Sequence, residues 1–122
     1  MAVTVLIVDD HPSFRATARL LLEVEGYDVV GEAEDGTQAI EAAGRLRPDL
    51  VLLDVNLPDM DGFAVATRLT RPADGAPSRS PVVILTSSRD PSDFGPLVGA
   101  SGARGFIPKA ELSGASLAAL LE

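Results

Sequence analysis

The stretch "VLLDVNLPDMDG" (51–62) changes character at Asp54. The residues before Asp54 are branched and apolar, which is typical of a strand covered on both faces of a parallel sheet. Acids follow it, together with Pro58 and Gly62, which are residues of turns. A buried strand does not tolerate an unpaired carboxylate. The stretch therefore predicts a central strand over 49–55 that ends at a carboxylate with partners of its own.

The sequence on both sides of this stretch alternates between apolar strands and amphipathic helices. Strands are predicted at 3–8, 28–33, 49–55, 82–88 and 104–108. Helices are predicted from Pro12 to just before Gly26, at 35–46 with Asp35 as its cap, at 61–69 with Asp61 as its cap, and at 112–122. Five strands that alternate with helices across short connections predict an α/β fold, with a parallel sheet and helices on both faces.

Two segments interrupt this pattern. Residues 70–81 contain three prolines and no apolar periodicity, so they predict a loop. The segment 91–101 occupies the place of a fourth helix but holds Pro91, Gly95, Pro96 and Gly99. Because proline and glycine both disfavour a helix interior, only a short or distorted helix is expected there.

Composition limits the class of protein. The 122 residues are 46% hydrophobic and carry no cysteine, which predicts one domain over 1–122, expected in the cytoplasm. No apolar run is long enough for a membrane span, so no membrane partner is expected. The formal net charge of −8 disfavours direct nucleic-acid binding by this domain. The last predicted helix runs to Glu122, which suggests a piece cut from a longer protein.

Polar residues collect where the predicted strands end. The first strand leads to Asp9 and Asp10, the third to Asp54, the fourth to Thr86 and the fifth to Lys109, the only lysine in the chain. Ligands of open α/β sheets bind outside the carboxyl ends of the strands. Carboxylates about 5 Å apart repel by roughly 3 kcal/mol per pair at an effective dielectric constant of about 20. Either their pKa values rise or a cation lies among them. Oxygen ligands favour Mg²⁺, with Mn²⁺ as the other candidate.

These groups fit phosphoryl transfer. A carboxylate beside Mg²⁺ can attack a phosphoryl group and form an acyl phosphate, while an ammonium and a hydroxyl meet the charged phosphoryl oxygens. The sequence has neither a G-x-x-x-x-G-K-[ST] loop nor a G-x-G-x-x-G turn. The phosphoryl donor is therefore not expected to be a bound nucleotide.

Ordinary structural roles compete with this interpretation. Asp9 and Asp10 could simply cap a helix, and Lys109 could be a solvated surface lysine. Asp59 and Asp61 are expected to be turn and cap residues. His11 is expected to be a neighbour of the acid pair that helps to start the first helix.

Four motifs occur in order along the chain: "LIVDDHPSFR" (6–15), "LLDVNLPDMDG" (52–62), "VVILTSS" (82–88) and "GFIPK" (105–109). With these four motifs the chain resembles the receiver domains of two-component response regulators, most of all those of LuxR/NarL-type regulators. The resemblance implies a flavodoxin-like, doubly wound sheet with strand order 2-1-3-4-5.

It also implies roles for individual residues. Asp54 would take a phosphoryl group from a histidine kinase or a phosphotransfer domain. By position, Asp10, Asp54 and the backbone carbonyl of Asn56 would hold Mg²⁺ directly and Asp9 would do so through water. Lys109 would pair with the phosphoryl group, and Thr86 would be the switch hydroxyl. Phe106 lies at the position of the switch aromatic, although it could equally be a core residue, and Asn56 and Ser88 would border the attacking water.

The resemblance leaves alternatives and departures. The implied output is transcription control through a C-terminal DNA-binding domain absent from the chain, and a homodimer stays open. The alternatives are an interaction domain that works without phosphorylation and a metal-dependent phosphatase, for which Asp61 would have to supply the acid. Pro108 precedes Lys109 and Ala110 follows it, so the Lys–Pro bond of many receivers is missing. The weak fourth helix suggests a mobile output face, or one that a partner orders.

Overall fold

The structure, a computed structural model, describes residues 2–70, 81–88 and 96–121. The described residues form five strands: β1 (Thr4–Val8), β2 (Asp28–Ala33), β3 (Leu50–Asp54), β4 (Val82–Ser87) and β5 (Gly105–Pro108). The same described ranges contain five α-helices: α1 (Pro12–Val24), α2 (Gly36–Leu46), α3 (Gly62–Thr70), α4 (Leu97–Ala100) and α5 (Gly114–Leu121). The predicted loop over 70–81 lies almost wholly outside the described residues, as does the part of the predicted fourth helix before residue 96.

All strand pairs are parallel, and the strand order is β2-β1-β3-β4-β5. This confirms the doubly wound fold and the order that the resemblance implied. Val8 pairs with Leu53, and Asp54 pairs with Thr86. The carboxyl ends of β1, β3 and β4 therefore meet at one edge of the sheet.

The central strands are apolar on both faces because helices cover both. Leu50 and Leu52 of β3 belong to a core with Ala18 and Leu22 of α1 and with α5. Leu53 and its alternate neighbours belong to a second core formed with α2 and α3. Because side chains alternate along a strand, a continuous apolar run is what two covered faces require.

Element ends differ from the sequence prediction by one or two residues. The helix predicted to begin at 112 begins at Gly114, because the Ser113 hydroxyl accepts a hydrogen bond from the Ser116 amide at 3.0 Å and ends the preceding turn. The segment before it, Lys109–Glu111, is a single 3₁₀ turn. The predicted weak fourth helix is short in its described part, four residues long.

Within the described ranges, no helix combines the length and the apolar character that crossing a bilayer requires.

Candidate functional site

Lys109 lies between two carboxylates at the carboxyl edge of the sheet. Its ammonium nitrogen is 2.6 Å from Asp9 Oδ2 and 3.2 Å from Asp54 Oδ2. It also lies 4.6 Å from the centre of the Phe14 ring, within range of a cation–π contact. Lys109 is 16% exposed at its side chain, while Asp9 is fully buried. Lys109 is therefore largely buried between the two carboxylates and is not a solvated surface residue.

A cluster of four possible metal ligands surrounds the same point. Asp9, Asp10, His11 and Asp54 each offer one ligand atom, and these atoms all lie within 4.8 Å of one another. The His11 ring nitrogen Nδ1 is 3.1 Å from Asp9 Oδ1 and 3.1 Å from Asp10 Oδ1. The sequence placed His11 beside the acid pair, and the structure confirms this, but its ring makes the donor set more than oxygen alone.

The donor set fits a divalent cation. Three carboxylates supply hard oxygen ligands of the kind that Mg²⁺ and Mn²⁺ take, and Lys109 balances only one of their charges. The exposed His11 ring adds a nitrogen, a ligand that suits later transition metals such as Zn²⁺ and Ni²⁺.

The surroundings of Asp54 disfavour its charged form. Burial raises the pKa of the Asp54 carboxyl group above its ordinary value, and the nearby charge of Asp9 acts in the same direction. The Asn56 amide, which donates to Asp54 Oδ1 at 3.0 Å, and the Lys109 ammonium oppose this shift without cancelling it. The surroundings of Asp54 therefore favour its protonated form more than water does.

The surroundings of Lys109, in contrast, favour its charged form. Burial by itself would lower the pKa of Lys109, but the hydrogen bond to Asp9 and the attraction of Asp54 and Asp9 outweigh it, and the pKa is raised. Lys109 therefore stays an ammonium at neutral pH.

Thr86 lies beside this cluster. It pairs with Asp54 across β3 and β4 and is 1% exposed. Its hydroxyl oxygen has no hydrogen-bond partner among the described residues. Buried hydroxyls normally have a partner, so a group that enters this edge would satisfy it.

Phe106 lies on β5, where it pairs with Leu85. It is half-buried and packs against the core under α2 and α3. The packing agrees equally with a core role and with the predicted switch role.

The loop that follows Asp54 is held from two sides. Gly62 donates its amide to the Val55 carbonyl at 2.8 Å, and a Cβ atom at Gly62 would come within 2.6 Å of Val55 Cα. Asp59 accepts hydrogen bonds at the start of α2, from the Gly36 amide at 2.7 Å and from the Thr37 amide at 2.9 Å. Asp61 accepts from the Phe63 amide at 2.7 Å and caps α3, as predicted.

Sequence reasoning missed three of these features. They are the ring of Phe14 beside Lys109, the hydrogen bonds of Asp59 to α2, and the close approach of Gly62 to Val55. A glycine directly after an acid-rich loop is the one signal that could have pointed to close backbone packing. The other two depend on side-chain directions that a sequence does not carry.

Comparison with known proteins agrees with this geometry. The family model described as the response regulator receiver domain matches residues 5–121. The nitrate/nitrite response regulator protein NarP of Escherichia coli is 44% identical over 106 residues, which cover 86% of this chain and 47% of NarP. The virulence-factor transcription regulator BvgA of Bordetella pertussis is 40% identical over 107 residues, which cover 88% of this chain and 49% of BvgA.

A solved structure shows the same fold. The signal receiver domain of the response regulator NarL from Mycobacterium tuberculosis aligns with a TM-score of 0.82 and 33% identity, and covers 98% of this chain and 97% of that one. The chain spans about half the length of the curated relatives it matches.

The chain belongs to the response regulator receiver domain family. It is a signalling domain of two-component systems whose relatives include bacterial transcription regulators of the LuxR/NarL type.

Proposed function

We propose that this domain is a phosphorylation-controlled switch in which Asp54 accepts a phosphoryl group from the phosphohistidine of a histidine kinase or phosphotransfer domain. The observation that carries the proposal is the position of Lys109, whose ammonium nitrogen lies within 3.2 Å of both Asp54 and Asp9. An ammonium in this place can meet a phosphoryl oxygen as soon as the phosphoryl group arrives at Asp54.

The transfer forms one bond and breaks one. A carboxylate oxygen of Asp54 attacks phosphorus, and the phosphorus–nitrogen bond of the donor breaks with its electron pair returning to the imidazole nitrogen. The raised pKa of Asp54 means that its carboxylate is poorly stabilised before transfer, which favours a product in which that charge has moved to the phosphoryl oxygens. The Lys109 ammonium, 3.2 Å from Asp54 Oδ2, would be within reach of an oxygen of a phosphoryl group bound to that carboxylate.

Asp10, Asp54 and the Asn56 carbonyl are the proposed Mg²⁺ ligands, with Asp9 acting through water; Mn²⁺ is the alternative ion. When bound, the ion supplies positive charge to the phosphoryl oxygens. The Asn56 amide already donates to Asp54 Oδ1, so the loop that bears the proposed carbonyl ligand is tied to the acceptor.

The unsatisfied Thr86 hydroxyl is the proposed first element of the switch. Its buried oxygen lacks a partner among the described residues, and a phosphoryl group on Asp54 would supply an acceptor. Movement of Thr86 towards that acceptor would bias a two-state equilibrium, with Phe106 as the proposed aromatic that follows it.

The proposed output is control of transcription. Relatives named as transcription and nitrate/nitrite regulators are about twice as long as this chain, and we infer a C-terminal DNA-binding domain in the full protein. A cytoplasmic location, a single domain over 1–122 and a homodimer stay predictions.

The proposal is tested by incubating the protein with Mg²⁺ and a small acyl-phosphate donor, then measuring its intact mass. The wild-type chain is expected to gain one phosphoryl group, and Asp54→Asn to gain none. The same incubation with EDTA in place of Mg²⁺ is the control. A wild-type protein that stays unmodified while it binds Mg²⁺ would favour the interaction domain that works without phosphorylation.

A further inference from the structure

Arg15 contacts the main chain of the acid pair. It lies in the first turns of α1, and its side chain is 15% exposed. Its Nη1 donates to the Asp9 carbonyl oxygen at 2.6 Å. Because a carboxylate attracts a guanidinium more strongly than a carbonyl does, a partly buried guanidinium that donates to a carbonyl beside a carboxylate cluster points to a positional role.

A second contact fixes the direction of the guanidinium. Arg15 Nε donates to Glu32 Oε1 at 3.0 Å, and Arg19 Nη1 donates to the other oxygen of Glu32 at 2.7 Å. Glu32 lies on β2, where it pairs with Ile7 of β1. The planar guanidinium therefore spans from the neighbouring strand to the end of β1, a span that its rigid fork of donors can hold and a lysine cannot.

The Asp9 carbonyl belongs to the peptide unit that joins Asp9 to Asp10. The Asp9 amide is fixed as well, because it donates to the Ala33 carbonyl at 3.0 Å. With its amide held by β2 and its carbonyl held by Arg15, the chain has one orientation at the point where it leaves the strand. That orientation decides where the half-exposed Asp10 carboxylate points.

We propose that Arg15 is a positioning residue that orients the Asp9–Asp10 peptide and thereby sets the affinity of the acid cluster for Mg²⁺. This inference rests on the proposed function, in which Asp10 is a direct ligand. Groups that orient metal ligands from behind typically change metal affinity by about 10- to 100-fold when they are removed.

Arg19 offers a matched control. It stands one helical turn further along α1 and pairs with the same Glu32, but its described contacts are with Glu23 and Glu32 and not with the Asp9 main chain. Arg15→Gln and Arg19→Gln therefore remove the same charge and one Glu32 contact each. Arg15→Gln also removes the Asp9 contact, and Arg19→Gln also removes the ion pair with Glu23.

Mg²⁺ affinity is measured by titration calorimetry on the wild type and both variants, and thermal unfolding is followed in parallel. Arg15→Gln is expected to weaken Mg²⁺ binding by about tenfold, while Arg19→Gln binds as the wild type does. If Arg15→Gln does not fold, Arg15→Lys keeps the charge without the fork and is expected to weaken binding in the same way. Equal Mg²⁺ affinities for the Arg15 and Arg19 variants would overturn the inference, whatever their stabilities.

The carbonyl carbon resonance of Asp9, measured by NMR without Mg²⁺, separates this inference from the proposed function. Loss of the hydrogen bond in the Arg15 variant is expected to move that resonance upfield, and the Arg19 variant should leave it in place. A wild-type protein that binds no Mg²⁺ would refute the proposed function. An Asp9 resonance that is the same in all three proteins would refute the role of Arg15.

Discussion

Asp54 carries a carboxylate that burial and the neighbouring Asp9 both push towards the protonated form. The sequence predicted its partners correctly: Asp9 and Lys109 follow other strands of a parallel sheet, and the carboxyl ends of such strands meet. The sequence could not show how close they come. The ring contacts of His11 and Phe14 depend on side-chain rotamers, and no periodic pattern specifies those.

The raised pKa of Asp54 predicts that Asp54→Asn stabilises the metal-free protein. Above the ordinary pKa of 3.8 the unfolded chain loses the proton while the folded chain still holds it, so wild-type stability falls as pH rises through the folded-state pKa. The Asp54→Asn variant has no titrating group at this position and therefore does not lose stability in this way. Chemical unfolding in EDTA should show a more stable variant at pH 7, by about 1.4 kcal/mol per unit of pKa shift, and near-equal stabilities at strongly acidic pH.

Asp59→Asn is the matched comparison, with the opposite sign. Hydrogen bonds from the Thr37 hydroxyl and the Gly36 amide lower the pKa of Asp59, so its charged form stabilises the fold above pH 3.8 and that contribution is lost as pH falls through the folded-state pKa. This variant should be less stable than the wild type at pH 7 and should approach it in acid. If both variants shift stability in the same direction at pH 7, the electrostatic account of the site is wrong.

At the scale of elements, the sequence predicted every strand and the helices α1, α2, α3 and α5. A strand covered on both faces needs a continuous apolar run, and a helix packed on the sheet needs an apolar stripe. Both patterns can therefore be read from the sequence. Ends were less predictable: α5 begins two residues late because two serines form a local cap. Asp59 accepts hydrogen bonds from Gly36 and Thr37 of α2, which lie 23 and 22 positions before it in the chain. No local sequence signal indicates a contact over that separation.

Substitution by alanine is expected to have opposite effects on stability at Gly62, which begins α3, and at Gly44 in α2. Gly62→Ala would press a Cβ atom onto the backbone at Val55, so a loss of about 1–3 kcal/mol is expected from overpacking. Gly44→Ala, in the exposed part of α2, meets no atom within 4 Å. It should gain about 0.5–1 kcal/mol from helix propensity. Urea unfolding of both variants checks the pair, and equal effects would contradict the close packing at Gly62.

At the scale of the whole molecule, the fold brings negative charges together without an equal number of positive charges beside them. The chain has a formal net charge of −8, and three of its carboxylates share an edge with one lysine. Composition could predict the excess of acid but not where it concentrates; that followed from the sheet topology.

This imbalance predicts that Mg²⁺ stabilises the wild-type protein. A ligand that binds only the folded state adds about 2.7 kcal/mol at 100 times its dissociation constant. The melting temperature of the wild type should rise with Mg²⁺ beyond the effect of NaCl at equal ionic strength. Asp54→Asn should respond less and Asp59→Asn fully, since Asp59 lies outside the acid cluster. An equal response of all three proteins would place the ion elsewhere.

The proposed function requires that Asp54, among all the acids of this edge and its loop, becomes the acyl phosphate. Borohydride reduces an acyl phosphate of aspartate to homoserine, so the modified position can be read by peptide mass spectrometry after phosphorylation with Mg²⁺ and a small acyl-phosphate donor. Homoserine is expected at position 54, and aspartate at 9, 10, 59 and 61. Homoserine at any of those four positions, or at none, would contradict it.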